Sequence, residues 1–151
     1  MGGFVGMRMA ARRPDLLRPL LLLETSADPE PEENVGRYRL LTMATRVPGP
    51  RAAAQRARFV EVLSARRDIW RAVNGVIDRA GVRGELERIH APTLILVGDE
   101  DVATTPAKAR RIHEKIAGSR LVEVRGAGHS SSVEQPGAVT GAIKEFLGAL
   151  R

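Results

Sequence analysis

The triplet Asp99-Glu100-Asp101 follows directly on the apolar run PTLILVG, and His129 follows a second run, RLVEVRG, by two residues. The chain holds three histidines and no cysteine. Any metal must therefore be bound by His, Asp and Glu, since thiolate sites and disulfides are ruled out. An imidazole with one or two carboxylates makes half a shell for a divalent ion such as zinc or manganese, and a second copy of the chain completes it. Such an ion lowers the pKa of bound water and supplies a nucleophile. Asp101 and His129 are the candidate ligands, whereas Asp99 and Glu100 read as solvated loop carboxylates. Ser130, Ser131 and Ser132 follow His129 and read as helix-capping and loop residues. His113 lies among charged neighbours in AKARRIHEKIA and reads as a surface residue. His90 reads as the linker into a strand. Glu24 and Asp28 are the other carboxylates that a strand end brings toward the same region.

Positioning these groups requires a sheet. Phe4, Val5, Met9 and Ala11 carry helical spacing over residues 1 to 13, with Pro14 closing the segment. The opening MGGFVGMRMA has two glycines and no capping residue. LLRPLLLLET predicts a strand over 19 to 25, buried on both faces. The cluster DPEPEEN marks a boundary, and arginine-studded amphipathic helices are expected at 32 to 46, 50 to 66 and 67 to 80, the last with Gly81 at its C-cap. Strands at 93 to 98 and 120 to 125 then flank the helix TPAKARRIHEKIAG, and a final helix starts near Gln135. Alternating strands and helices predict a parallel sheet with right-handed crossovers, an α/β fold of about three strands. Residues 1–28 and 88–151 form its core, and 29–87 a helical insert. Asp101 and His129 fall at the C-terminal ends of adjacent strands, where open α/β sheets place their sites.

Composition narrows the function. The chain has 151 residues, 43% hydrophobic and 28% charged, which is enough for one domain with a hydrophobic core. The net charge is +6, and all of the 24 basic residues except Lys108, Lys115 and Lys144 are arginine. They are spread along the chain and aromatics make up 3%, so no nucleic-acid partner is expected. No apolar run approaches the roughly 20 residues of a membrane span, and residues 1–10 lack a secretory pattern, so a cytoplasmic protein with no membrane partner is expected.

The stretches PTLILVGDEDVATTPAKARRI and LVEVRGAGHSSSVEQPGAV resemble the C-terminal half of the α/β-hydrolase family, on its enol-lactonase and carboxylesterase branch. In that family a strand ending in Gly-x-x-Asp gives the acid of a catalytic triad, and one ending in Gly-x-Gly-His gives the base. The resemblance implies that Asp101 is the acid and His129 the base. Met1-Gly2-Gly3 is similar to the residues that follow the nucleophilic serine in Gly-x-Ser-Met-Gly-Gly. The resemblance therefore implies a truncated α/β-hydrolase, cut directly after that serine, with 29–87 as its helical lid.

From this follows the expected activity: a hydrolase without the serine, acting on activated ester, lactone or phosphoester bonds through water activated at Asp101 and His129, with or without a divalent metal. The alternatives are a serine esterase or lactonase half that needs a separate N-terminal chain, and an inactive dimerising fragment. The open edge of strand 19–25 predicts a homodimer, formed through that edge or by exchanged helices. Arg37, Tyr38 and Arg39 read as a solvated helix face.

Overall fold

The computed structural model describes residues 2–36 and 66–150. Of the helices expected at 32 to 46 and 50 to 66, residues 37–65, with Arg37, Tyr38 and Arg39, lie outside the described residues. Two compact units divide the chain, Met1–Asp28 with Gly81–Arg151, and Pro29–Ala80.

The first unit opens with α1 (Gly2–Arg12), which buries Phe4, Met7 and Ala10 at a spacing of three and ends where Pro14 begins a short 3-10 turn. Strand β1 (Leu20–Leu23) follows. Strand β2 (Thr93–Gly98) is buried along its whole length, as the middle strand of a parallel sheet must be. It is followed by α2 (Pro106–His113), β3 (Arg120–Val124), the short α3 (Ser131–Glu134) and α4 (Pro136–Gly148). Among the described residues the sheet has three strands in the order β1-β2-β3, all parallel. Leu20 is in register with Thr93, and Gly98 with Val124.

The alternation of β2 explains why both faces are covered. Ile95 and Val97 pack with α1 and with Ala109 and Ile112 of α2, in a cluster completed by Val82, Leu86, Ile89 and Ile116. Leu94 and Leu96 point to the other face and pack with Val139 and Phe146 of α4. Each such side chain contributes about 1.5–3 kcal/mol on burial. A helical layer on each face of a parallel sheet is therefore what the apolar run PTLILVG demands.

Three expected boundaries are corrected. Residues 81–87 belong with the sheet rather than with the insert: Val82 and Leu86 are fully buried in its core, and the Val82 amide donates to the Ala27 carbonyl at 2.8 Å. The strand expected at 19 to 25 ends at Leu23, because Glu24 turns to φ 40°. The strand expected to 125 ends at Val124, where the chain turns at Gly126 with φ 65°.

The second unit, taken by itself, has residues 32–36 helical and the helix Arg66–Ile77 where 67 to 80 was expected. Glu30 accepts from Asn34 at 3.0 Å and pairs with Arg79 at 3.4 Å. No described helix is long and apolar enough to cross a membrane.

Candidate active site

β2 ends at Gly98, and the chain turns at once into Asp99-Glu100-Asp101. A Cβ on Gly98 would lie 2.1 Å from the Ala127 carbonyl oxygen and 2.3 Å from that of Gly128. Only glycine admits this approach of two backbones. It lays the loop after β3 directly over the end of β2. Three further bonds fasten the loops together: Glu100 N–H donates to the Ala127 carbonyl at 3.0 Å, and Asp99 Oδ1 accepts from Gly126 N–H at 2.8 Å and from Ala127 N–H at 3.4 Å. Glu134 holds the far side, accepting from Gly128 N–H at 2.5 Å and Ser130 N–H at 3.1 Å.

The result is contact between Asp101 and His129. Asp101 is 2% exposed. Its Oδ1 accepts from the Ala103 and Thr104 amides at 2.8 and 2.9 Å, the turn that an aspartate makes with the residues just after it. Its Oδ2 accepts from the Thr104 hydroxyl at 2.7 Å and lies 2.9 Å from His129 Nδ1. Burial pushes the carboxyl pKa up, but the hydrogen bonds from Thr104, from His129 and from the two amides outweigh it and hold the group below the usual carboxylate range. An ionised carboxylate only accepts, so Nδ1 carries a proton, and in the neutral ring the lone pair is then on Nε2. The His129 side chain is 56% exposed, which leaves Nε2 open to take a proton.

Thr104 escaped the sequence reading. Its hydroxyl also lies 3.2 Å from His129 Nδ1. Because its proton goes to Asp101, it faces the ring as an acceptor, so carboxylate, hydroxyl and imidazole form one small network. The spacing Asp-x-x-Thr ahead of a helix is the signal that could have found it.

Other expected residues fall elsewhere. Asp28 turns away from the site and pairs with Arg111 at 2.5 Å and Arg83 at 3.5 Å. Asp99, read as a solvated carboxylate, ties down the base-bearing loop instead. Ser130 makes no side-chain cap to α3. Ser131, also read as a capping or loop residue, is fully buried and donates its hydroxyl to Glu24 at the end of β1. His113 Nδ1 lies 2.8 Å from the Ser119 hydroxyl, apart from the dyad. The expected metal ligation by Asp101 and His129 is not supported by the donors. Both Asp101 oxygens are engaged by Ala103, Thr104 and His129, and among the described residues no group of three His, Asp or Glu side chains converges.

Helices on both faces of a parallel sheet, with an acid and an imidazole joined at the strands' C-terminal ends, are features of the α/β-hydrolase class. Residues 74–150 match the model of the family described as TAP-like protein, within that class, and the chain belongs to it. The chain is 30% identical to 3-oxoadipate enol-lactonase 2 of Acinetobacter baylyi, over 97% of its own length and 61% of the relative's. It is 27% identical to pimeloyl-[acyl-carrier protein] methyl ester esterase of Neisseria meningitidis, over 100% and 68%. The crystal structure of the enol-lactonase from Burkholderia xenovorans superposes with a TM-score of 0.73 at 32% identity, over 97% of this chain and 62% of that one. The chain thus spans 61% to 68% of the length of these proteins.

Proposed function

We propose that this chain carries the acid–base machinery of a hydrolase acting on ester-type bonds, esters and lactones, with His129 as the general base and Asp101 as the group that orients it. The observation that carries the reading is the 2.9 Å contact between Asp101 Oδ2 and His129 Nδ1, with the opposite ring nitrogen open. The named activities of the lactonase and esterase relatives supply the substrate class. Val102, on the loop after β2, and Val133, on α3, are 91% and 78% exposed and set apolar side chains on the segments that follow Asp101 and His129, which suits the acyl part of an ester.

Among the described residues no hydroxyl is hydrogen-bonded to Nε2 of His129, which favours water as the nucleophile. Nε2 takes the water proton as the oxygen attacks the carbonyl carbon, then returns it to the leaving alkoxide. A second reading, in which a serine from another segment is the nucleophile, is favoured by the position of Gly3. A Cβ there would meet the Thr25 side chain at 2.2 Å, so the start of α1 lies beside the end of β1, at the same edge of the sheet as the dyad.

Hydrolysis of a p-nitrophenyl ester by the purified chain tests both readings, with a fluorophosphonate serine probe and with a chelator. Turnover that survives both supports water as nucleophile. Turnover lost together with covalent labelling supports the serine. Loss on chelation alone overturns both readings, and no turnover by the chain alone overturns water as the nucleophile.

Among the described residues the outer edge of β1 has no neighbouring strand, and Leu21 on it is 36% exposed. Such an edge, rich in leucine, is stabilised by pairing. We infer that two copies join β1 to β1 about a two-fold axis. Sedimentation at micromolar concentration is expected to give a dimer, and Leu21→Lys a monomer. A wild-type chain that sediments as a monomer would refute this pairing.

A further inference from the structure

Glu24 carries two features that work against folding. Its φ of 40° lies in the left-handed region, where a residue with a Cβ is strained and where glycine or asparagine is at ease. Its carboxyl group is also partly buried, at the end of β1. Burial is the largest influence on that group and pushes its pKa up; the hydrogen bond from Ser131 and the charge of His129 oppose the rise, and the charge of Asp101 adds to it. His129 is the largest cationic influence on Glu24. Strained backbone and an ill-solvated carboxylate at one position, beside an acid–base pair, point to use in the site rather than to support of the fold.

The geometry shows what that use is. Ser131 stands two residues beyond His129, is fully buried, and donates its hydroxyl to Glu24. On the near side of His129, Asp99 holds the amides of Gly126 and Ala127. The peptide bearing the imidazole is therefore fastened on one flank to the end of β2 and on the other to the end of β1. The ring itself is held by Asp101.

We propose that Glu24 is a positioning residue for His129: from the end of β1 its carboxylate anchors Ser131 and places a second negative charge, in addition to that of Asp101, close to the imidazole. The inference rests on the reading of His129 as the base. When Nε2 takes a proton from the nucleophile, the new positive charge forms next to two carboxylates rather than one, and the added charge favours that step over the neutral ground state.

Glu24→Gln separates this role from a structural one, because the amide oxygen still accepts from Ser131 while the charge is gone. An acid whose folded pKa lies above its unfolded value costs stability as pH rises through that interval, and the cost is full above the folded value. Glu24→Gln is therefore expected to unfold at the same temperature as the wild chain or higher at pH 7 to 8, with the difference closing as pH falls to the ordinary carboxylate range. On an activated ester its kcat is expected to fall roughly five- to tenfold with KM little changed. The ring nitrogen signals of His129, followed by NMR from pH 5 to 8, are expected to trace a different curve from the wild chain. Glu24→Asp, which keeps the charge, is expected to restore most of that curve. A Glu24→Gln chain that is less stable or fails to fold overturns the proposal, as does an unchanged His129 curve. If the wild chain hydrolyses no ester, the reading of the function fails, while the unfolding and NMR measurements still decide the role of Glu24.

Discussion

His129→Gln is expected to lower ester hydrolysis by the chain on the order of 10²- to 10⁴-fold, the range that a positioned general base contributes. Glutamine fills similar space but has no nitrogen that can take a proton near neutral pH, so the loss should appear in kcat and leave the unfolding temperature nearly unchanged. The imidazole is over half exposed and little packing depends on it. Asp101→Asn is expected to cost a comparable factor by another route. Its amide oxygen can serve the Ala103 and Thr104 amides, which leaves the NH2 facing Nδ1 of His129. Nδ1 must then accept, the ring proton moves to Nε2, and the nitrogen meant to receive a proton already holds one. Steady-state rates on one ester, with unfolding curves for each variant, check this. Activity within tenfold of wild type in both variants would remove the dyad from the mechanism.

The same carboxylate links the site to acid stability. The folded pKa of Asp101 lies below its unfolded value. Its contribution to stability is therefore complete above the ordinary carboxylate range and is lost as pH falls through the lower, folded value.

Gly98→Ala is expected to be the most damaging small substitution in the described core. The added methyl group would meet two backbone oxygens at 2.1 and 2.3 Å, and neither belongs to a side chain that could swing aside. The Ala127 carbonyl is also the acceptor for Glu100 N–H, and the flanking amides are held by Asp99. Relief of the clash requires the whole loop to move, breaking those bonds and drawing His129 away from Asp101. A cost of about 3 kcal/mol or more is expected, at the upper end for overpacking, with a fall in melting temperature on the order of 10 °C and a loss of activity that exceeds the fraction unfolded. Calorimetry beside an assay at a temperature where the variant is folded measures both. A folded Gly98→Ala chain with full activity would mean that the close approach does not set the dyad geometry.

Much of the fold was legible because short-range patterns carry it. The apolar run PTLILVG is too short for a membrane span and too uniform for a half-exposed strand, and it proved to be the buried middle strand. The parallel sheet followed from the alternation of strand and helix, and the placement of Asp101 and His129 at strand ends from where the two apolar runs stop. What escaped was decided by contacts between distant residues. Nothing local marks 81–87 as core, since Val82 and Leu86 stand among arginines and glutamates and are buried by what α1 and β1 place above them. The acidic triplet suggested a metal half-shell, yet its three members diverge in the fold. Asp99 binds the loop amides, Asp101 binds the imidazole, and Glu100 is joined through its backbone.

The sequence by itself determined the elements and their order along the chain, because periodicity and turn chemistry act over a few residues, while the acid and base roles of Asp101 and His129 were implied by a resemblance in motif. Only the tertiary structure showed that Asp101 meets the Nδ1 side of His129 and that Thr104 completes the contact. It also turned Glu24 and Ser131, 107 positions apart, into a bonded pair beside His129. Those meetings depend on the parallel register of β1, β2 and β3 and on the bare Cα of Gly98, which lets two loops lie closer than any side chain would allow.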